Sequence, residues 1–354
     1  MIKLFIYIPT YNRPQAIRKQ LEVLYPQILK YSINVRLLIS DNDTPDGKND
    51  NLLEDFQAKN IDFRKNPGNI GICANIALGF IFAREDEHLW ILSDNDIVKT
   101  DALDFLFSEI DNDNTYFVIP FKEHNAQFYP DNYQKNKIIT YKWDDKLWKC
   151  SCPDKNFMWF GIGIDNIIAI SHGIYSVKQI KHSLSESFKY HNTILPHTAV
   201  ILGSIRQNTE VTFKLFDKCI FDQYVTSKEN LTDYTFLASA KPQLINLLPK
   251  INAKQYAARW IKKSGDALYF TQFYNKDEYF NTVLSRHLLV KKGGANAYLQ
   301  LILVKSRFLF RTIIKELFNF ILPQKYFEIL KRFKVKFTGL FKREYKHPLS
   351  ENEL

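Results

Sequence analysis

Over the first 120 residues, short apolar runs of strand length alternate with stretches of helical spacing, and three of those runs stop at polar clusters. Residues 3–8, 35–39, 61–64, 88–92 and 116–119 have the length and composition of strands. Between them, Ile17, Leu21 and Leu24 recur at helical spacing, and residues 52–56, 72–83 and 100–110 are also expected to be helical. Asn12 is expected to cap the first helix, with Gln15 as its capping-box partner, and Thr100 to cap the helix that runs to Ile110. This alternation predicts an α/β fold, a mostly parallel sheet flanked by helices. Ligands of such sheets bind at the carboxyl ends of the strands. The clusters at residues 10–13, 41–46 and 94–96 lie at three such ends, so their loops are expected to converge in one cleft.

Further along, the pattern thins. Residues 137–141 and 212–216 are strand-like, two strand-like runs surround Gly161 and Gly163, and a helix is expected from about Pro196, a proline suited to a first turn. Beyond Leu231 the spacing is largely helical. The expected organisation is a domain over 1–225 in two halves (1–110 and 111–225), then a helical region (226–304) and a tail (305–354).

The positive charge sits in that tail. Of the net +10, residues 305–346 carry +9, from twelve Lys and Arg against three Asp and Glu, and two glutamates come after them, which leaves +3 for residues 1–304. The tail is also rich in Phe, Leu and Ile, and Arg307, Arg311 and Lys315 recur every four residues. A basic, Phe-rich amphipathic helix suits the surface of an anionic membrane; the alternative is a helix packed on the core with a solvated face. Nucleic acid is not the expected partner, because the cations are interleaved with aliphatic bulk. No signal peptide is expected, since the first apolar run stops at Pro9, and no stretch reaches the 18 or so apolar residues of a membrane span. Four cysteines, at 73, 150, 152 and 219, form neither a disulfide framework nor a zinc ribbon and fit a reducing compartment. His172, His182 and His191 lack ligand-like spacing and are expected to be structural.

Asp94-Asn95-Asp96 comes directly after an apolar strand. Two carboxylates one residue apart at a strand end suit Mg²⁺ or Mn²⁺, which takes one or two carboxylates and fills its remaining positions with phosphate oxygens and water. A polar turn whose acids cap the next helix is the alternative. Taken in order, Pro9-Thr10-Tyr11-Asn12-Arg13, Ser40-Asp41-Asn42, Asn69-Ile70-Gly71 and Asp94-Asn95-Asp96 resemble the motifs of the family 2 glycosyltransferases of the GT-A (Rossmann-like) fold, most of all the abequosyltransferase-like branch of bacterial surface-polysaccharide enzymes. The resemblance covers residues 2–110 and extends loosely to about 220.

That resemblance implies a transferase acting on a nucleotide sugar. Pro9, Thr10 and Tyr11 would line the nucleotide pocket and Arg13 would lie near the phosphates. Asp41 would accept a hydrogen bond from the ring N–H of a uracil or thymine. Asn69 and Gly71 would shape the pocket floor, with Asn75 facing the same cleft; a turn former and a solvated helix position are the plain alternatives for the two asparagines. Asp94 and Asp96 would hold the metal, though the family's usual D-x-D-D before an apolar residue is here Ser93-Asp94-Asn95-Asp96. The family's base, an Asp in an E-D pair, has no carboxylate counterpart at Leu195-Pro196-His197-Thr198. His197 could serve as the base, ligate the metal, or simply pack, and Asp165 is a second base candidate. Trp159 could stack on an acceptor sugar or be a core residue.

The expected reaction is inverting transfer from a UDP-, dTDP- or CDP-linked sugar to a lipid-linked or polysaccharide acceptor, in O-antigen, capsule or lipooligosaccharide synthesis. Its place would be the cytoplasmic face of the bacterial inner membrane. Two other classes fit less well. A sugar nucleotidyltransferase needs a Gly-rich loop after the first strand, and residues 9–14 contain no Gly. A membrane-bound scaffold that kept the fold without catalysis would tolerate the shifted acids and the absent base carboxylate.

Overall fold

The computed structural model describes residues 2–47, 55–56, 58–120, 138–144, 147–150, 170–190, 196–207 and 210–223, with helical positions at 257, 291, 294–295, 297–303 and 305–306. Strand β1 (Leu4–Thr10) leads to helix α1 (Pro14–Lys30), β2 (Val35–Asp41), β3 (Ile61–Lys65), α2 (Ile72–Phe82), β4 (His88–Ile91), β5 (Asp96–Val98), α3 (Ala102–Glu109) and β6 (Tyr116–Val118). Then come β7 (Ile138–Asp144), β8 (Leu147–Cys150), β9 (Gly173–Ser176), α4 (Val177–Ile180), α5 (Ser185–Lys189), α6 (Pro196–Gln207), β10 (Glu210–Leu215) and β11 (Phe221–Gln223).

Nine strands form one sheet in the order β3-β2-β1-β4-β9-β6-β10-β7-β8, while β5 and β11 form a separate antiparallel pair. The pairs β1–β2, β2–β3, β1–β4 and β6–β10 are parallel, and β9 runs antiparallel between β4 and β6. The sheet is mixed but mostly parallel on its first half, as the alternating pattern predicts.

Strand β1 explains why its sequence is continuously apolar. All seven residues are buried, because helices cover both faces. Leu4, Ile6 and Ile8 join Ile17, Leu21, Leu24 and Ile28 of α1 in one core. Tyr7, on the opposite face, lies under α2, where a Cβ at Gly79 would come within 2.8 Å of its ring. On β9, a Cβ at Gly173 would come within 1.9 Å of the Tyr116 hydroxyl, so the β6–β9 pairing depends on that glycine.

Two buried glutamines of α1 anchor the chain just past the acidic loop. The Gln20 side-chain oxygen accepts from Val98 N–H (3.2 Å). That of Gln27 accepts from Leu103 N–H (2.9 Å), while its amide donates to the carbonyls of Val23 and Lys99. The segment carrying β5 and the start of α3 is thereby pinned to α1.

The capping box is not formed. Helix α1 begins at Pro14 with Arg13 at its N-cap and no side-chain cap, while Asn12 takes a left-handed conformation (φ 54°), which Asn tolerates better than most residues. Helix α3 likewise starts at Ala102 after Asp101 rather than from Thr100. Of the expected helix at 52–56, residues 52–54 lie outside the described residues while Asp55 is in a turn and Phe56 in no helix; the strands around Gly161 and Gly163 also lie outside, as do residues 226–256 and almost all of the tail. Helices α4 and α5 and the strands β5, β8, β9 and β11 were not anticipated.

Candidate active site at the carboxyl ends of β1, β2 and β4

The chain runs from β1 to β2 to β3 on one side and then returns to place β4 on the other side of β1. The carboxyl ends of β1 and β4 therefore flank a reversal of strand order, where a parallel sheet opens a crevice. Thr10 closes β1 on one side of that crevice, and Asp94 comes after β4 on the other. The Thr10 hydroxyl donates to Asp94 Oδ2 (2.9 Å), and Arg13 Nη1 donates to Asp94 Oδ1 (2.8 Å). Residues 84 and 81 positions apart are thus joined directly. Asp94 is nearly closed to solvent, whereas the Arg13 side chain is 40% exposed. Tyr11, beside them on the same loop, is 42% exposed.

Burial pushes the Asp94 carboxyl above the usual carboxylate range, with the Arg13 charge and the Thr10 hydrogen bond acting against it. Asp96 is pushed up to about 6, chiefly by burial and further by the negative charge of Asp94, while a hydrogen bond from Ser171 pulls the other way. Ser171 Oγ donates to Asp96 Oδ2 (2.5 Å) and accepts the Ser93 N–H (2.8 Å). Burial thus disfavours ionisation of both acids, and the charge of Asp94 disfavours it further at Asp96. A divalent cation would relieve both effects. Among the described residues no three His, Cys, Asp or Glu side chains gather into a metal cage. The two carboxylates of Asp94 and Asp96, one residue apart at a strand end, suit an ion that shares its coordination with phosphate and water.

Asparagines tie the neighbouring loops together. Thr10 and Asp41 are register partners at the ends of β1 and β2, and Asn42 N–H donates to the Thr10 carbonyl. The Asn42 side chain donates to Asn69 Oδ1 (2.7 Å) and accepts the Ile70 N–H (3.0 Å). Asn69 Oδ1 also accepts the N–H of Gly71, which at φ 84° needs a residue without a Cβ. Asn75 is buried and bridges three elements. Its Oδ1 accepts from Tyr7 of β1, Ser40 of β2 and Asn66, and its amide donates to the Ser40 carbonyl.

Asp41 is fully buried. Its carboxylate accepts the Thr44 hydroxyl (2.5 Å) and the Thr44 N–H (3.0 Å), and that hydroxyl in turn accepts the Asn12 N–H (2.8 Å). The structure thus brings Pro9, Thr10, Tyr11, Arg13, Asp41, Asn69, Gly71, Asn75, Asp94 and Asp96 to one edge of the sheet. Asp41 and Asn75 are turned inward there, into the scaffold of the loops.

His197 lies in the first turn of α6 and is fully buried. Helix α6 packs on α5 and α2 and ends shortly before β10, a strand parallel through β6 to the rest of the sheet. Its last turn is therefore near the amino edge of the sheet, and its first turn faces the edge where the loops gather. Asp165 and Trp159 lie outside the described residues. His172 is structural as expected: it is buried, its Nδ1–H donates to the Ile119 carbonyl, and burial lowers its pKa to about 4. Burial likewise pushes the free thiol of Cys73 up to about 12, so it is an inert core group.

Ser40, Asn42, Thr44, Asn66 and Ser171 have no role assigned from sequence, although Ser40 and Asn42 stand in the second motif. The first four stand inside the polar clusters that close β2 and β3, where any residue could have been a turn former. Ser171 carries no local signal, since its partners are about 75 residues away.

Residues 5–167 match the model of glycosyl transferase family 2, a span that includes the site loops after β1, β2, β3 and β4 but neither Ser171 nor His197. No curated protein matches the chain. Among solved structures, S. aureus TarS 1-349 superposes with a TM-score of 0.55 at 12% identity, over 87% of this chain and 88% of that one. The same protein in complex with UDP-GlcNAc gives 0.54 at 12%, and in complex with UDP 0.53 at 14%, with the same coverage. At such identities the likeness is one of fold. The class defined by sheet order and neighbours is the GT-A, Rossmann-like fold.

Proposed function

We propose that this protein is a nucleotide-sugar-dependent glycosyltransferase. The observation that carries the reading is the direct bonding of Thr10 and Arg13 to Asp94 across the β1–β4 crevice, with Asp96 beside it. The family 2 match over the same loops supports it, as does the likeness to a fold that holds UDP-GlcNAc in S. aureus TarS.

In this reading the donor diphosphate lies over the crevice. Arg13, half exposed and already held by Asp94, turns its remaining N–H groups to the phosphates. Tyr11 covers the nucleoside, and Asn69, Ile70 and Gly71 form the floor that Asn42 holds in place. Asp41 exchanges the Thr44 hydroxyl for the ring N–H of uracil or thymine, which favours UDP- or dTDP-linked donors over CDP-linked ones. Asp94 and Asp96 hold Mg²⁺ or Mn²⁺, which when bound supplies Lewis-acid charge to the leaving diphosphate. The acceptor hydroxyl oxygen bonds to the anomeric carbon, the bond from that carbon to the diphosphate oxygen breaks, and the nucleoside diphosphate leaves. The hydroxyl proton passes to a base, assigned to His197 or Asp165, and the configuration inverts. Trp159 stacks on the acceptor.

The acceptor is proposed to be a lipid-linked or polysaccharide intermediate of a bacterial surface glycan such as O-antigen, capsule or lipooligosaccharide. The basic tail would hold the enzyme on the anionic inner face of the membrane. Among the described residues no helix is long and apolar enough to cross a membrane. The helical positions just before the tail leave Tyr298, Leu299, Ile302 and Leu303 exposed while Ala297 and Leu301 are buried, an apolar face that precedes the cationic segment in sequence. This arrangement supports lying on a bilayer rather than spanning it.

A donor screen by thermal shift tests the reading. With Mn²⁺ present, one UDP-, dTDP-, CDP- or GDP-sugar at about 100 times its Kd should stabilise the fold by about 2.7 kcal/mol. That corresponds to a midpoint rise of several degrees. A flat response to all of them would contradict it.

A further inference from the structure

We infer that Ser171, which lies outside every sequence motif of the site, is the positioning residue that sets the orientation of Asp96. The inference rests on the proposed metal-assisted transfer and adds a residue to it. Ser171 is fully buried in the short 3-10 turn that precedes β9, a strand paired to β4. Its carbonyl accepts the Trp90 indole N–H (2.8 Å), which fixes its backbone against β4. Its hydroxyl oxygen accepts the Ser93 N–H (2.8 Å) and so fixes the first residue of the acidic loop.

That second bond determines the rest. A serine hydroxyl has one proton. With the Ser93 N–H occupying an acceptor site on the oxygen, the proton is directed to Asp96 Oδ2 at 2.5 Å. One oxygen of Asp96 is thus held by the protein, and among the described residues no other hydrogen bond reaches that carboxylate. Oδ1 is left as the atom a cation can take. Ser171 therefore does for a carboxylate ligand what outer partners do for metal-binding side chains in general: it selects one rotamer and one ligating atom before the ion arrives. It also ties the acidic loop, through β9, to the half of the sheet expected to carry the acceptor. No such tie exists within the loop's own sequence.

The test uses the full-length chain and Mn²⁺, alone and with UDP, titrated by electron paramagnetic resonance. Ser171→Ala removes the hydroxyl without adding volume. It is expected to weaken Mn²⁺ binding about tenfold or more, the usual cost of losing such a partner, with the circular dichroism spectrum unchanged and the melting midpoint lowered by a few degrees, since two buried hydrogen bonds are lost. Ser171→Thr, which keeps the hydroxyl, is expected to bind within a few-fold of the parent. In the Asp96→Asn background, Ser171→Ala should cause no further loss, because the group it positions is gone. Three outcomes overturn the inference. One is parental Mn²⁺ affinity in Ser171→Ala. Another is an equal further loss in the Asp96→Asn background, which would show that Ser171 acts elsewhere. The third is a parent chain that binds no Mn²⁺ even with UDP, which overturns the metal reading itself and is thereby distinguished from the other two. If Ser171→Thr fails to fold, the Ala variant and the double-variant comparison still decide.

Discussion

Asp96→Asn should lower sugar transfer by about 10²–10³-fold while making the protein more stable at pH 8. The loss comes from removing half the negative charge that holds the ion against the leaving diphosphate, an electrostatic contribution of that size in comparable sites. The gain comes from the same burial. The folded-state pKa of Asp96 is raised to about 6, well above its usual value. A carboxyl raised in this way contributes stability that is complete below its unfolded pKa, near 4, and lost as pH rises through 6. At pH 8 the parent chain therefore holds an ionised, largely buried carboxylate beside that of Asp94, at a cost on the order of 3 kcal/mol. Asparagine removes the charge, and its carbonyl can still accept the Ser171 hydroxyl. The melting midpoint of Asp96→Asn should exceed the parent's by a few degrees at pH 8, and the two should converge near pH 4. Transfer by the parent at limiting Mn²⁺ should fall as pH drops below about 6, where protons compete with the cation. A variant that melts lower than the parent at pH 8, or that transfers sugar at the parent's rate, would count against the site described above.

Removing residues 305–354 should abolish binding to anionic vesicles and leave donor hydrolysis intact. Each Lys or Arg near an anionic surface contributes about 1 kcal/mol. The segment carries twelve of them up to residue 346. If only about four reach the lipid, their loss lowers partitioning by roughly a thousandfold. The parent should bind vesicles containing phosphatidylserine at low salt, release them at high salt, and ignore neutral vesicles. The loops proposed to bind the donor all lie before residue 225, so in this account hydrolysis of the donor by water has no need of the tail. Vesicle binding that survives the deletion would place the membrane contact elsewhere, with the exposed face at Tyr298, Leu299, Ile302 and Leu303 as the first place to look.

How much of this was legible in the sequence depends on the distance over which each residue acts. Strand β1 is unmistakable because burial on both faces leaves an unbroken apolar run, and α2 because its apolar run is too long for a strand; their boundaries differ from expectation by at most two residues. Strand β9 was invisible. Its four residues pair with β4 and β6, and nothing local distinguishes Gly173–Ser176 from a loop. The capping box was misjudged because Asn12 is drawn into a left-handed turn by Thr44, 32 residues away, and the helix starts from its proline instead. At the site, strand-end clusters announced Thr10, Asp41 and Asp94, since in a parallel sheet polar residues after apolar runs have one place to go. The sequence could not reveal that Asp41 and Asn75 would face inward, or that Asn42 would be the residue joining the loops. Those assignments depend on which asparagine meets which loop, and turn propensities treat all asparagines alike.

The most direct measurement is calorimetric titration of UDP and dTDP into the full-length protein with Mn²⁺, beside Asp94→Ala, which takes away the carboxylate shared by Thr10 and Arg13. Saturable binding to the parent, weakened at least tenfold in the variant and by chelation of the metal, is the expected result. No heat of binding from any nucleoside diphosphate, or equal binding to Asp94→Ala, would mean that the crevice between β1 and β4 is not where a donor sits.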